Sequence, residues 1–455
     1  MIITSIFDLF KVGPGPSSSH TIGPMKATYD FLQRVKELPA EQKQSASAIN
    51  IHLYGSLSLT GKGHGTDRAV VAGLLGWLPE DVNPTAFNNL LKDSADTYDV
   101  SIDPTVILVS SNSVKFEKKK YISPFSNTLV VKLLSESGEL IHEEEYYSVG
   151  GGFIHRKGED EVDTSTIQLP FPYQTMDELK ALLQQTNLSL VGVMLANETA
   201  ISGLSKKEIY AKIDNILDFM HKAVKRGLRT RGVLPGRIQL RRKAPLLFEK
   251  AKNRVATNDS FIIFLNAYCL AASEENAAGS IVVTAPTSGA SGVIPGVTYL
   301  LKQHYHYDRQ RLREGMIAAA TIGFLIKQNA SISGAEMGCM GEIGSAAAMA
   351  AAMLMYCTEN SIDRMEAAAE IAIEHHLGMT CDPIGGYVQI PCIERNAMGA
   401  IKAYNAFLLA SSGNAQDQKI SLDSVIKVMR ATGKDMSKRY KATSKAGLAL
   451  SMTEC

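Results

Sequence analysis

The stretch Ser333-Gly-Ala-Glu-Met-Gly-Cys-Met-Gly-Glu-Ile-Gly344, followed without a break by Ser345-Ala-Ala-Ala-Met-Ala-Ala-Ala-Met353, decides how the second half of this chain folds. Glycines on both sides of Cys339 free the backbone to turn, and the alanine run beyond them has the propensity and the narrow cross-section of a helix buried among other helices. The same 3.6-residue periodicity recurs in Lys206–Lys225, Met316–Asn329, Ile343–Tyr356 and Asp363–His376, where Ala, Met, Leu, Lys and Glu dominate and strand signals are scarce. Residues 175–455 are therefore expected to form an all-α domain.

Upstream the pattern changes. Short β-branched runs at Ala48–Tyr54, Thr105–Ser110, Asn127–Leu134 and Ile141–Ser148 alternate with turn signals and with helical patterns at Thr21–Lys36 and Thr66–Leu75. This predicts an α+β domain over residues 1–155. Residues 156–174 are charged and end in Leu-Pro-Phe-Pro-Tyr173, the composition of a linker. Two domains suit a chain of 455 residues at roughly 150 residues per domain.

Composition excludes several classes. A 45% hydrophobic and 20% charged chain is neither disordered nor fibrous, and 47 basic against 46 acidic residues leave no global field for a nucleic acid or an anionic membrane. The start, Met1-Ile-Ile-Thr-Ser-Ile-Phe-Asp, lacks the early positive charge of a signal peptide, and the apolar runs Ile317–Ile326 and Ala346–Cys357 fall short of the ~20 residues that span a bilayer. A cytoplasmic protein is expected, with no nucleic-acid or membrane partner and, by the usual preference for two-fold symmetry, as a homodimer. Six cysteines in so long a chain are not a disulfide framework, so their thiols are expected to be reduced.

Motif screening eliminates more than it finds. Gly55-Ser-Leu-Ser-Leu-Thr-Gly61-Lys62 has five residues between its glycines where a P-loop has four, and Gly63 stands where magnesium needs a hydroxyl. No dinucleotide fingerprint, serine elbow, His-Glu-x-x-His or Cys-x-x-Cys occurs. Lys327, ending an apolar helical run, is read as a helix-end lysine rather than a Schiff-base lysine for pyridoxal phosphate. Cys269 and Cys357 fall in apolar helical runs and read as core. Cys339, Cys381 and Cys392 instead sit at loop or helix ends, where main-chain N–H groups favour thiolate. Three thiolates suit a [4Fe–4S] cluster with one iron left open; ordinary structural cysteines are the competing reading.

Five blocks decide between them: Val12-Gly-Pro-Gly-Pro-Ser-Ser-Ser-His-Thr-Ile-Gly-Pro-Met25, Tyr54-Gly-Ser-Leu-Ser-Leu-Thr-Gly-Lys-Gly-His-Gly-Thr-Asp67, Ser148-Val-Gly-Gly-Gly-Phe153, Thr287-Ser-Gly-Ala-Ser-Gly292, and Cys381-Asp-Pro with Pro391-Cys-Ile-Glu-Arg-Asn396. Together they resemble the single-chain, iron–sulfur-dependent bacterial L-serine dehydratases, and the resemblance spans both predicted domains. It implies a [4Fe–4S] cluster on Cys339, Cys381 and Cys392, conversion of L-serine to pyruvate and ammonia, and a first domain similar to the allosteric substrate-binding domain of some phosphoglycerate dehydrogenases. Met340 departs from the pattern, which leads one to expect a polar residue there.

A metal group on the helical domain does not itself take the serine α-proton, so a base is needed from elsewhere. His64, between Gly63 and Gly65, has a ring of ordinary pKa ~6.5 on a backbone free to project it into a cleft, with Asp67 placed to orient it. A solvated loop histidine is the bland alternative. His20 is the second candidate; Ser18, Ser19, Thr66 and Asp67 are expected to contact substrate, and the Thr287–Ser291 loop is read as either a neighbour of the site or a tight helix–helix junction. Cys455, the last residue, is expected to reach the open iron in the resting state. A non-catalytic iron–sulfur or amino-acid-sensing protein, which would need no base at His64, or a pyridoxal-phosphate-type deaminase, is the alternative function.

Overall fold

The computed structural model of the chain describes residues 1–119, 121–159, 167–253, 259–442 and 446–451. Part of the segment read as a linker, residues 160–166, and Cys455 therefore lie outside the described residues.

The nine strands among the described residues are β1 (Val12–Pro14), β2 (Ala46–Gly55), β3 (Thr97–Ser101), β4 (Val106–Ser110), β5 (Val114–Phe116), β6 (Asn127–Ser135), β7 (Leu140–Gly150), β8 (Phe153–Arg156) and β9 (Ile281–Val283). Five of them form one sheet in the order β5-β2-β6-β7-β8, parallel only between β2 and β5. In β2 the buried Ile49, Ile51 and Leu53 alternate with Asn50, His52 and Tyr54, the period-2 pattern of a strand with one covered face. That face packs under helices Gly23–Glu37 and Thr66–Leu74, with Phe31, Val70 and Leu129 in the shared core. The α+β expectation for the first part of the chain is met.

The second part is helical, as expected. Helix Ser345–Glu359 runs through its centre, and every residue from Ser345 to Cys357 is buried. It is covered by helices Arg309–Asn329, Ile362–Glu374 and Cys392–Ser412. The helical path starts at Met340, so Met340–Glu359 reaches 20 residues and is long and apolar enough to cross a membrane, but 94% of its apolar window is buried inside the protein. It is a core helix, apolar all round because it has neighbours all round.

The first residues do not stay with the sheet they precede. Ile2, Ile6, Leu9 and Phe10 pack into the helical core, and β1 pairs antiparallel with β9, Val12 opposite Val283. The chain thus begins in the helical part, crosses to the α+β part at Ser17–His20, and returns after β8.

Close helix contact depends on missing side chains. A Cβ on Gly227, which ends helix Lys206–Gly227, would lie 2.2 Å from the carbonyl oxygen of Ala271 in helix Ser260–Ala277. Backbone cannot swing aside as a side-chain tip can, so Gly227→Ala is expected to destabilise the fold by about 1–3 kcal/mol. Urea unfolding followed by far-ultraviolet dichroism measures this; an unchanged midpoint would mean the two helices separate freely.

Candidate metal centre and catalytic cavity

A cavity lies where the two parts meet. Ser19, His20, Thr60 and His64 line it from the α+β part, and Cys339, Glu342, Cys381 and Cys392 from the helical part. Residues more than 300 positions apart in sequence face one another across it.

Each histidine is held by backbone. His20 lies in one wide helical turn, Ser18–Ile22, that leads into helix Gly23–Glu37. His64 closes the tight turn Gly61–His64, after which Gly65 takes a left-handed φ of 65° that a side chain would strain. Two threonines brace the turns reciprocally: Thr21 Oγ1 donates to the His64 carbonyl (2.9 Å), and Thr66 Oγ1 to the His20 carbonyl (2.6 Å). The ring centroids are 4.5 Å apart.

The ring nitrogens differ in availability. His64 Nδ1 lies 2.8 Å from the Thr60 carbonyl oxygen, which can only accept, so the proton sits on Nδ1 and Nε2 keeps its lone pair. Among the described residues His64 Nε2 has no hydrogen-bond partner. His20 is engaged at both nitrogens, Nδ1 with Ser19 Oγ (2.9 Å) and Nε2 with Ser56 Oγ (3.1 Å) and Thr60 Oγ1 (3.0 Å). Burial pushes the pKa of His64 down to about 4 and that of His20 well below its ordinary value, so both rings are neutral near pH 7.

Three positions read from the sequence do not line this cavity. Asp67 is turned to the start of its own helix, where Oδ1 accepts from the Arg68 N–H (2.9 Å); the group orienting His64 is the Thr60 carbonyl, not Asp67. Thr66 spends its hydroxyl on the His20 carbonyl, and Ser18 Oγ faces the Ser288 N–H at 3.4 Å. Ser19 and His20 do line it. Lys327 donates to Thr4 Oγ1 and lies over the Phe153 ring, outside the cavity lining.

The cysteines come from three separate loops. Cys339 precedes the turn Met340–Gly344, Cys381 is held by a 2.7 Å bond from its N–H to the Tyr440 carbonyl, and Cys392 opens helix Cys392–Ser412 behind Pro391. The Met340 N–H to Met379 O bond (3.3 Å) ties the first two loops together, and Met340 Sδ accepts from the Gly378 N–H at 3.4 Å, filling the position where a polar residue was expected. All three thiols are buried and none is in a disulfide. Donor atoms of Cys339, Cys381 and Glu342 lie within 4.8 Å of one another.

Glu342, Thr60 and Arg395 were not singled out from the sequence. Glu342 accepts from Thr287 Oγ1 (2.9 Å), which settles that the Thr287–Ser291 loop borders the site. Arg395 donates from one guanidinium nitrogen to Cys339 Sγ (3.3 Å) and to the Thr380 carbonyl (2.6 Å). Both follow a cysteine by three residues, a spacing that puts side chains on one helical face and could have exposed them. Thr60 acts through its carbonyl as well as its hydroxyl, and a carbonyl leaves no trace in residue type.

Neighbouring Cys339 and burial push the Cys381 thiol well up, burial and Cys339 do the same to Cys392, and burial raises the Glu342 carboxyl. Without a cation the charged forms of these groups are disfavoured; a cationic metal group between them would favour their ionisation and binding. Two thiols and a carboxyl within 4.8 Å of one another, a third thiol, Cys392, lining the same cavity, and an arginine supplying N–H to one sulfur make a donor set that fits a thiolate-bound metal group such as an iron–sulfur cluster.

Comparison with known proteins agrees with this division. The serine dehydratase beta chain family matches residues 5–159, and the serine dehydratase alpha chain family matches residues 185–449. The chain belongs to the serine dehydratase family. Among its relatives, an L-serine dehydratase of Streptomyces coelicolor is 40% identical over 462 residues, covering 99% of each chain. The L-serine dehydratase of Haemophilus influenzae is 40% identical with 98% of each chain covered, and L-serine dehydratase 1 of Escherichia coli is 39% identical with the same coverage. In this serine dehydratase chain the alpha-type and beta-type parts meet at the cavity just described.

The buried histidines make acid stability a readout of this geometry. Because the folded pKa of His64 lies below the unfolded value of ~6.5, its contribution is fully present above pH 6.5 and is lost as pH falls toward 4, on the order of 3 kcal/mol in total. The double variant His20→Asn, His64→Asn is expected to show a flatter decline of unfolding free energy between pH 7 and 4 than the parent. Parallel declines would show that these rings protonate freely in the folded state.

Proposed function

We propose that the protein is an L-serine dehydratase, a lyase that converts L-serine to pyruvate and ammonia, with a [4Fe–4S] cluster on Cys339, Cys381 and Cys392. The observation that carries this reading is the single cavity that brings three buried thiols opposite a neutral histidine with a free Nε2. The near-full-length identity to proteins named L-serine dehydratase supports the choice of substrate.

When bound, such a cluster supplies an iron with an open position, a Lewis acid for the carboxylate and hydroxyl of serine. His64 takes the α-proton at Nε2, while the Thr60 carbonyl keeps the Nδ1–H tautomer and disperses the charge that develops on the ring. His20 and Ser19 form the hydroxyl-rich wall beside it, where donors are available to a carboxylate. Ser18, Thr66 and Asp67 act by holding the turns rather than by touching substrate. Arg395 feeds N–H to the Cys339 sulfur and fixes the Thr380 carbonyl next to Cys381, orienting two ligands at once. Loss of the α-proton and of the β-hydroxyl as water leaves aminoacrylate, which tautomerises and hydrolyses to pyruvate and ammonium. A sensing protein would need none of this alignment at His64.

The test is anaerobic purification with iron and sulfide counting, followed by a pyruvate assay with L-serine, D-serine and L-threonine. About four iron and four sulfide per chain and turnover of L-serine are expected. His64→Ala should keep its iron and lose about 10²–10⁴ in kcat. Colourless, sulfide-free protein that still deaminates L-serine would overturn the reading, as would an undiminished His64→Ala enzyme. Cys455 is proposed to cover the open position in the resting enzyme; Cys455→Ala should assemble normally but change the resting absorption spectrum or the lifetime in air, and identical behaviour in both would remove that role.

A further inference from the structure

A second cavity adjoins the one that holds the chemistry. A cleft of about 610 Å³ lies between the two parts, with Gly55, Leu59 and Ser126 on the α+β side. On the helical side stand Arg430, Lys434, Lys438 and Lys441. It shares Thr60, Ala335 and Ala442 with the catalytic cavity, so the two adjoin.

The charge of this cleft is out of proportion to the chain. Over the whole sequence positive and negative side chains balance to a net +1, yet among the described residues here four cations face a single acid, Glu336. Arg430 and Lys434 are four residues apart on helix Leu422–Asp435 and share one face. Among the described residues none of the four cations makes an ion pair or a side-chain hydrogen bond. Like charges gathered on one wall repel one another, a cost that unpaired surface cations incur without return unless an anion joins them.

The substrate of the proposed reaction does not account for them. L-Serine is a zwitterion of zero net charge near pH 7, and a field of one sign attracts it only through its dipole. The pyruvate product is a monoanion. We propose that the cleft is a binding site for small polyvalent anions, carrying phosphate or two or more carboxylates, which sit across the mouth of the catalytic cavity and compete with access of serine. The kinetic half of this inference rests on the dehydratase reading; the binding half does not.

The experiment uses the cluster-loaded enzyme under anaerobic conditions, with inorganic phosphate and succinate as probes and sodium chloride at matched ionic strength as the control. Calorimetry reports binding, and the pyruvate assay reports the apparent KM for L-serine. Phosphate, succinate or both are expected to bind and to raise the apparent KM several-fold without lowering kcat, and the one that binds more tightly identifies the anion class. In Lys434→Gln, Lys438→Gln the concentration needed should rise tenfold or more, while kcat and KM without added anion stay at parental values. No heat of binding from either probe, or an effect matched by chloride, overturns the proposal. So does inhibition that persists unchanged in the double variant, which would place the anion in the catalytic cavity itself. Should L-serine not turn over at all, the dehydratase reading fails and calorimetry alone still decides whether the cleft binds anions.

Discussion

Three thiols and a carboxyl line one desolvated space, where burial works against the charged forms of Cys381, Cys392 and Glu342. Burial is the main cause of the upward push on Cys392 and Glu342, the hydrogen bond with Cys339 and then burial that on Cys381, and neighbouring sulfur adds to both cysteines. Such an arrangement is unfavourable as a hydrophobic core and favourable as a receptor for a cationic metal group. Much of the surrounding structure serves to keep it open: Gly338 takes a left-handed φ of 66° where its loop passes Met379, and a Cβ on Gly334 would strike the Glu342 carboxylate at 2.7 Å. The glycines around Cys339 are there for close approach as much as for turning.

The same low dielectric governs the other wall. A histidine that lost its desolvation would titrate near neutrality and spend half its time unable to accept a proton. Burial keeps His64 neutral, and the backbone carbonyl of Thr60, rather than a carboxylate, selects its tautomer without raising its basicity as strongly as an anion would. A carboxylate such as Asp67 at that position would have stabilised the imidazolium and raised the ring's pKa, so that more of it would be protonated near neutrality. The structure instead places Asp67 on its own helix terminus, where a negative charge is stabilised by the first N–H groups.

What the sequence reveals follows from what leaves a mark on residue type. Strand β2 is legible because alternate residues must be apolar, and the helix Ser345–Glu359 because close packing demands alanine. The helix that the pattern starts at Met316 begins at Arg309: its first turns, Arg309-Gln-Arg-Leu-Arg-Glu, carry no apolar stripe, although Asp308 caps it by accepting from the Arg311 N–H. In the site, the cysteines are visible because few other roles suit them at loop ends. Thr60 is invisible because its decisive atom is a carbonyl, and Asp67 misleads because nearness in sequence to His64 is not nearness in space.

The wall that carries the histidines belongs to one part of the chain and the cysteines to the other, so the site depends on how the two are joined. The join is made before the first domain begins. Strand β1 pairs with β9, the Lys11 N–H donates to Thr284 Oγ1, the Thr284 N–H to the Lys11 carbonyl, and Thr284 Oγ1 in turn to the Leu9 carbonyl. One residue beyond β1, a Cβ on Gly15 would lie 2.0 Å from the Asn276 carbonyl oxygen, and Asn276 Nδ2 reaches the Pro16 carbonyl. These bonds leave little slack before Ser17–His20 on one strand and before Thr287, which holds Glu342, on the other. The N-terminal residues thus act as a short tether anchored in the helical core at Ile6 and Leu9, and the register of a three-residue ladder fixes where His20 meets the helical half. Two domains connected only by the later segment would have to find this alignment by surface contact; here the backbone delivers it.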